Sequence, residues 1–280
     1  MEKGRASRTA VGVAVRRAVH QLRDVPVVFA DPVAVAILGE THGEYLQAGV
    51  AAAETEFSRA FRAFLVARSR YAEDNLRAAV EAGVGQYVLL GARLDTFAYR
   101  NPHPGLRVFE VDHPATQEWK RDLLSRAGIN IPENLTYAAV DFETQSLEAQ
   151  LAQAGFDAEA PAYFAWLGVV PYLTLGAFRP TLDFIAGRAA GSGVTMDYGQ
   201  PREALSASEQ MAHDALAARV ESVGEPMRLF FTVAEMTAEL GKFSRIEQLG
   251  RVEINARFFA GRTDRLGVRG EGGRLVSAWR

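Results

Sequence analysis

Cysteine is absent from this sequence of 280 residues. Its absence excludes disulfide bonds, a thiolate nucleophile and any zinc or iron–sulfur site held by cysteine. A run of about 18 consecutive apolar residues is also lacking, so the sequence predicts no transmembrane helix. Neither sign of charge prevails, since the chain has 31 Lys and Arg, 34 Asp and Glu, and a net charge of −3. That balance argues against nucleic acid or an anionic membrane as a partner.

Composition is otherwise ordinary, with 48% hydrophobic and 23% charged residues, so the chain can bury a sizeable core. We expect a soluble, cytoplasmic protein that acts on a small molecule, with a homodimer as one option for its assembly. The Arg-rich, amphipathic start of the sequence predicts a surface helix of the protein rather than a transit segment.

Strand and helix patterns alternate from residue 86 to residue 280, without internal repeats or low-complexity segments. Such alternation is typical of α/β proteins. We expect a Rossmann-like fold, with a seven-stranded, mostly parallel sheet and helices on both faces. A single domain over residues 1–280 is predicted, with an N-terminal helical cap over 1–57. Weaker periodicity over 199–226 predicts an inserted helical lid that shapes a substrate pocket.

Asp31 and Pro32 carry the first clear helix-start signal. Aspartate is a good N-cap, and proline is tolerated at the first helical position, where its missing N–H is not needed. The pair therefore predicts a short helix over residues 33–38.

A longer amphipathic helix is predicted over residues 58–82, and Arg68 lies on its apolar face. A buried arginine is costly without acceptors. Arg68 therefore reaches solvent, pairs with a structural carboxylate, or meets an anionic ligand. Glu73 and Asp74 lie on the outward face, where ion pairs with nearby arginines are expected to be solvated and weak.

Residues 86–114 form the centre of the pattern: a strand ending at Gly91, a short helical segment, and a strand closing on Asp112. Such βαβ units bind ligands at the carboxyl ends of their strands, where loop amides and a helix N-terminus are expected to be free. Asp112 follows Gly91 by 21 residues (112 − 91), as does the ribose-binding acid of dinucleotide sites. The second and third glycines of that fingerprint are missing, which favours a nucleoside ligand without a pyrophosphate. Asp112 has two equally supported roles at this point: it is a ribose acceptor, or it is the N-cap of the helix that Pro114 begins.

Six short motifs, in order along the chain, resemble those of the leucine carboxyl methyltransferase-like family of class I S-adenosylmethionine-dependent methyltransferases. This family includes protein carboxyl methyltransferases and bacterial polyketide O-methyltransferases. The motifs are Phe-Ala-Asp-Pro (29–32), Ala-Arg-Ser-Arg-Tyr (67–71), Leu-Gly-Ala-Arg-Leu-Asp-Thr-Phe-Ala-Tyr-Arg (90–100), Phe-Glu-Val-Asp-His-Pro (109–114), Val-Asp-Phe (140–142) and Gly-Val-Val-Pro-Tyr-Leu (168–173).

The resemblance implies S-adenosylmethionine as the cofactor. Arg68 would then meet the methionine carboxylate, Gly91 would let the backbone approach the ligand, and Asp112 would accept the ribose hydroxyls. Asp141 and Phe142 would hold the adenine. The implied cofactor site is completed by Ala92, Arg93, Asp95, His113 and Leu167.

Two positions depart from the family pattern. Arg93 stands where the family usually has glycine, so its side chain either points away from the ligand or narrows the site. Leu167 stands where the family often has an acidic residue, which removes a contact for the positively charged end of the ligand.

The implied reaction is methyl transfer to oxygen by in-line displacement, in which the protein mainly positions groups and excludes water. A carboxylate acceptor needs no base, whereas a phenol or alcohol does. The candidate bases are His113, Tyr172, Tyr198 and His213, each with an alternative role in packing or at the surface. The five histidines form no close ligand pair, so no metal site is predicted.

Three functions follow. The first is O-methylation of a small polyketide-like or carboxylate acceptor in secondary metabolism. The second is methylation of a protein C-terminal carboxylate. The third is a nucleoside-binding protein of the same fold that has lost methyl transfer.

Overall fold

The computed structural model describes residues 8–140 and 145–280, which form ten α-helices and seven β-strands within those ranges. In chain order the elements are α1 (Arg8–Arg23), α2 (Val33–Ala36), α3 (Gly43–Ala51), α4 (Glu56–Glu81), β1 (Gln86–Leu90), β2 (Arg107–Asp112), α5 (Pro114–Arg126), β3 (Leu135–Ala139), α6 (Leu147–Gln153), β4 (Ala162–Trp166), α7 (Leu175–Ala186), β5 (Gly193–Gly199), α8 (Ala207–Glu221), α9 (Val233–Glu239), β6 (Arg245–Leu249), α10 (Arg251–Phe258) and β7 (Gly273–Trp279).

The strands form one sheet in the order β3-β2-β1-β4-β5-β7-β6. Strands β1 to β5 pair in parallel, and β7 runs antiparallel to both of its neighbours. The predicted Rossmann-like α/β fold with a mostly parallel sheet is confirmed. The strand order reverses between β1 and β4, and such a switch point leaves a crevice at the carboxyl ends of the strands.

Each central strand is buried on both faces, as expected when helices cover a parallel sheet. Val88 and Leu90 of β1 pack in a core with α6, α7 and α9, whereas Tyr87 and Leu89 pack in a second core with α4. Alternate side chains of a strand point to opposite faces, so one five-residue strand serves both cores. This burial on both faces holds the central strands in place, and the site lies at their carboxyl ends.

Helix starts follow the chemistry of their caps. Thr174 accepts a hydrogen bond from the amide of Ala177 at the start of α7. A capping box of Thr232 and Glu235 is present at the start of α9. The α4 helix begins two residues earlier than the apolar pattern indicates, because Thr55 caps it by accepting from the amide of Ser58.

The prediction for Asp31 as an N-cap is wrong. Its side chain makes no capping hydrogen bond to α2, which is a single turn. Asp31 is fully buried and accepts instead from the hydroxyl of Thr96 at 2.7 Å. It also lies 3.6 Å from Arg17 and 3.4 Å from Arg100, so two cations stabilise the buried carboxylate more than one helix terminus can.

Glu73 also departs from the prediction of a solvated pair. Its carboxylate binds Arg100, which follows the loop after β1, and the two side chains are only 23% and 11% exposed. Asp74 does pair with Arg70 and Arg77 on the same helix, as expected for i,i+4 and i,i+3 neighbours.

The α1 helix is more deeply buried than a surface helix. A cluster of polar side chains anchors it to α4: Arg62 donates to both carboxylate oxygens of Asp24, at 2.7 and 2.9 Å, and His20 shares that carboxylate at 2.7 Å. Burial by itself raises the pKa of Asp24, but the hydrogen bonds from His20 and Arg62 hold that pKa below its ordinary value. The anchoring makes α1 a fixed wall beside the sheet edge.

Candidate active site

A cavity of about 1200 Å³ lies at the carboxyl ends of β1, β4 and β5. Helices α1 and α4 form one side of it, and α8 of the predicted lid segment forms the other. Ligand pockets usually measure about 300–1,000 Å³, so this cavity exceeds the space that one small ligand needs.

Arg68 reaches the floor of this cavity from α4. Its guanidinium donates to Asp197 Oδ2 at 2.9 Å, and Asp197 Oδ1 accepts from the amide of Gly168 at 2.6 Å. Both charged side chains are at most 10% exposed. Arg68 thus pairs with a structural carboxylate, which is one of the alternatives predicted from the sequence. The pair also places one positive and one negative charge at the cavity.

Asp197 was not assigned a role from the sequence. It follows an apolar strand core, Val194 to Met196, and a carboxylate at the end of a buried parallel strand is the signal that marks it. It lies beside Gly168 and Leu167, where the family pattern often has an acidic residue. The charge that Leu167 lacks is therefore supplied by the neighbouring strand.

Gly168 and Gly91 both have left-handed backbone conformations, with φ of +67° and +69°. A Cβ atom on Gly168 would lie 2.9 Å from the Arg68 guanidinium, and one on Gly91 would lie 2.6 Å from Val169. Glycine is therefore required at both positions by conformation and by space.

The expectation of free amides after β1 is wrong. The amides of Gly91 and Ala92 both donate to the carbonyl of Val111, at 2.8 and 3.1 Å. The next helical segment is a 3₁₀ turn that starts only at Phe97. The loop is held closed against β2, so its backbone N–H groups cannot form an anion cradle.

Asp112 is not the N-cap of α5, because His113 takes that position and accepts from the amide of Ala115. The two carboxylate oxygens of Asp112 instead accept from the amides of Arg93 and His113, at 2.6 and 2.8 Å. Each oxygen keeps a further lone pair, so the carboxylate can still accept hydroxyl groups. Asp112 and His113 lie next to the cavity wall rather than in it.

Arg93 adopts φ of +43°, a conformation that glycine accepts more easily than arginine. Its side chain turns away from Asp112 and toward the lid. The guanidinium lies 5.6 Å from the ring centroid of Tyr172 and 4.0 Å from the carboxylate of Glu225. The side chain therefore points away from Asp112, and Arg93 is part of the cavity wall.

The other expected cofactor residues divide into two groups. Ala92, Asp95 and Leu167 line the cavity, and Asp95 lies 3.5 Å from Arg17. Asp141 and Phe142 lie outside the described residues.

The four candidate bases have different surroundings. Tyr172, Tyr198 and His213 line the cavity, whereas His113 caps α5 outside it. Burial raises the pKa of Tyr172 and of Tyr198, which keeps both phenols protonated. The Tyr198 hydroxyl is also engaged, because it donates to Gln248.

His213 has a buried Nε2 atom that makes no hydrogen bond with any residue of 8–140 or 145–280. Its Nδ1 atom lies 3.4 Å from Asp214, and Arg202 in turn donates to both oxygens of Asp214. An imidazole oriented by a carboxylate, with its other nitrogen free, is the arrangement that a general base requires.

The described residues contain no cluster of three His, Asp or Glu side chains that could hold a metal ion. Among them, no helix combines the length and apolar character needed to cross a bilayer.

Comparison with known families gives a match to the leucine carboxyl methyltransferase family model over residues 10–186, more than half of the chain. The Bacillus subtilis protein YktD, named "Putative S-adenosyl-L-methionine-dependent methyltransferase", is 29% identical over 95% of both chains. The Mycobacterium tuberculosis protein Rv0281, of the same description, is 34% identical over 76% of this chain and 70% of its own.

Two solved structures share the fold. A "putative methyltransferase" from Thermobifida fusca superposes with a TM-score of 0.62 at 16% identity, covering 100% of this chain and 96% of the other. A DUF574 family protein from Streptomyces avermitilis superposes with a TM-score of 0.56 at 18% identity, covering 98% of both chains. The match over residues 10–186 spans Arg68, Gly91, Asp112 and Gly168, and the resemblance seen in the motifs is confirmed. The chain belongs to the leucine carboxyl methyltransferase family and is an S-adenosylmethionine-dependent methyltransferase.

Proposed function

We propose that this methyltransferase methylates an oxygen atom of a small molecule held in the cavity between α1, α4 and α8. The observation that carries the proposal is that Arg68 and His213 line the same cavity. A cation suited to the cofactor and a free imidazole suited to an acceptor hydroxyl thereby face one chamber. Its volume of about 1200 Å³ is large enough for both ligands together.

The residues at the cavity floor fit the amino-acid end of the cofactor. That end carries a carboxylate and an ammonium group, and Arg68 and Asp197 offer the opposite charges side by side. Asp112 has free lone pairs for two ribose hydroxyls, and Gly91 and Gly168 leave the floor without side chains. When bound, the cofactor supplies a methyl group activated by the adjacent sulfonium charge.

His213 is the residue that we assign to proton removal from a phenol or alcohol. Its buried Nε2 has no hydrogen-bond partner among the described residues, and Asp214 lies beside the opposite nitrogen. The Phe230 ring lies 5.2 Å from the imidazole, so an aromatic acceptor would meet an apolar surface beside the base. A carboxylate acceptor would use the same chamber without needing His213.

The proposal is tested by incubating the enzyme with methyl-labelled S-adenosylmethionine and a bacterial metabolite extract. We expect label in a small-molecule product, which mass spectrometry then identifies. Label found only in the protein fraction, and removed by carboxypeptidase, would instead establish the protein C-terminal carboxylate as the acceptor. Mild alkali separates the chemistries, because a methyl ester releases methanol and a methyl ether does not.

A matched pair of histidine variants tests the assigned base. His213→Gln is expected to abolish ether formation, whereas His103→Gln, outside the cavity, leaves it intact. If the product is a methyl ester, His213→Gln should leave the rate nearly unchanged. If the wild-type protein does not bind S-adenosylhomocysteine, that result would contradict the cofactor assignment itself.

A further inference from the structure

The charges along the cavity wall are almost all paired. Each acidic side chain of the wall has a cation or amide donors: Glu56 with Arg269, Asp95 with Arg17, Asp197 with Arg68, and Glu209 with the amides of Ser206 and Glu271. The Arg93 guanidinium lies 4.0 Å from Glu225. Every arginine of the wall therefore lies near a carboxylate, with the exception of Arg16 and Arg219.

Arg16 and Arg219 lie near each other on opposite sides of the chamber, on α1 and α8. Within residues 8–140 and 145–280, neither guanidinium has a carboxylate within 4.0 Å. Like charges facing each other across a largely apolar space destabilise the empty chamber. An anion placed between them would relieve that repulsion.

The environment of Arg16 supports this reading. Its Nη1 atom donates to the carbonyl of Gly12 in its own helix, but its buried Nε atom has no hydrogen-bond partner among the described residues. Burial, followed by the nearby Arg219 and Arg62, lowers the pKa of Arg16 to about 10. A buried donor without an acceptor is unfavourable and is commonly completed by a ligand or by water.

The space beside Arg16 is aromatic. Its guanidinium lies 4.8 Å from the ring centroid of Phe61, which stacks at 5.8 Å on Phe57. Phe61 precedes Arg68 by seven residues on α4, so the two positions are separated by about 10 Å along the helix axis. The unpaired cations therefore lie one small molecule's length away from the cofactor end of the chamber.

We propose that Arg16 and Arg219 form an anion subsite for the methyl acceptor, and that the acceptor is an amphipathic carboxylic acid. This proposal rests on the proposed function, since it places the acceptor in the same chamber. The acceptor's apolar body lies along Phe57 and Phe61, and its carboxylate lies between the two guanidinium groups. That carboxylate is held at the far end from Arg68, so it serves recognition while another oxygen receives the methyl group.

Calorimetric titration with decanoate and with decanol tests the subsite, because the two probes share an apolar chain and differ in charge. The wild-type protein, with S-adenosylhomocysteine bound, should bind decanoate on the order of tenfold more tightly than decanol. Arg16→Gln and Arg219→Gln should each remove most of that preference and leave decanol binding unchanged. Arg228→Gln changes an exposed arginine that follows the lid segment and lies outside the cavity wall; this variant is the matched control and should keep the preference.

Two further measurements keep the outcomes separate. Arg219 is exposed, so Arg219→Gln remains informative if the variant of the half-buried Arg16, Arg16→Gln, does not fold. Arg16→Lys should retain part of the preference. Equal affinities for decanoate and decanol in the wild-type protein, or an unchanged preference in both glutamine variants, would overturn the subsite. Failure of S-adenosylhomocysteine to bind would contradict the proposed function, and decanoate titrated without that ligand would then still report on the two arginines.

Discussion

Replacing Gly168 with alanine should detach Arg68 from its acceptor while costing the fold little. The new Cβ would lie 2.9 Å from the guanidinium, and an optimal contact needs about 3.5 Å, so the guanidinium must move by about 0.6 Å. The end of an arginine side chain can move that far. The hydrogen bond to Asp197, now 2.9 Å, would then approach about 3.5 Å and leave the normal range.

The expected loss of cofactor affinity follows from that displacement. The displaced guanidinium would also lose the hydrogen bond that the proposed function gives it with the cofactor carboxylate. A hydrogen bond to a charged group contributes about 1.5–3 kcal/mol, so the Kd for S-adenosylhomocysteine should rise roughly ten- to hundredfold. Calorimetric titration measures this change. The left-handed backbone of alanine should cost a further 1–2 kcal/mol or so of unfolding free energy, measured by urea denaturation.

Gly128 provides a control with nearly the same backbone. Its φ is +66°, against +67° for Gly168, and a Cβ there would meet no atom within 4 Å. Gly128→Ala should therefore carry the same backbone cost without the loss of the Arg68–Asp197 hydrogen bond, and it should keep full affinity for S-adenosylhomocysteine. The reasoning is refuted if Gly168→Ala binds as tightly as the wild-type protein, or if Gly128→Ala loses affinity to the same extent.

Three other perturbations address the base, a buried acid and the lid. His213→Gln should lower kcat for a hydroxyl acceptor by about 10²- to 10⁴-fold and leave the Kd of S-adenosylhomocysteine unchanged, and an equal fall in both would contradict a role as base. Burial raises the pKa of Glu110 to about 7, so the folded chain holds a proton that the unfolded chain releases above about pH 4.5. Stability contributed by this group is therefore lost as the pH rises from about 4.5 to 7, by up to roughly 3 kcal/mol. In urea denaturation, the unfolding free energy of Glu110→Gln should not show this fall with pH. The same fall in the variant and in the wild-type protein would contradict the role of Glu110. Arg93→Gly should relieve the left-handed strain and remove the contact between Arg93 and Glu225 of the lid. Hydrogen exchange over α8 would detect this as faster opening, whereas unchanged exchange would show that Arg93 does not hold the lid.

In the proposed function, the polar groups of the site fall into a cofactor end and an acceptor end. Arg68 and Asp197 lie at the first end, with Asp112 next to the cavity wall, and backbone amides fix both carboxylates. His213 and Arg219 belong to α8, and loops connect this helix to the elements before and after it. The cofactor end is thus built on rigid elements and the acceptor end on a separate helix, an arrangement that lets acceptor specificity vary independently of the cofactor.

Short-range patterns in the sequence determined much of this protein. Alternating strand and helix patterns predicted a seven-stranded sheet, and apolar periodicity placed the ends of α4 to within two residues. The spacing of Gly91 and Asp112, with Arg68 on an apolar helical face, pointed to a nucleoside bound without a pyrophosphate. These features depend on neighbours within a few residues or on one strand–loop–strand unit, so local chemistry specifies them.

Only the tertiary structure decided which polar groups meet. Arg68 and Asp197 are 129 residues apart along the chain, and Asp31 binds Thr96 across 65 residues, so no local pattern distinguishes these partners from an ordinary cap or surface pair. His113 and His213 looked equivalent as candidate bases until the fold placed one at a helix start and the other in the cavity wall. Arg16 and Arg219 acquire meaning only because α1 and α8 face each other across the chamber. Contacts between distant segments are set by the packing of whole helices on the sheet, and that packing is a property of the complete chain.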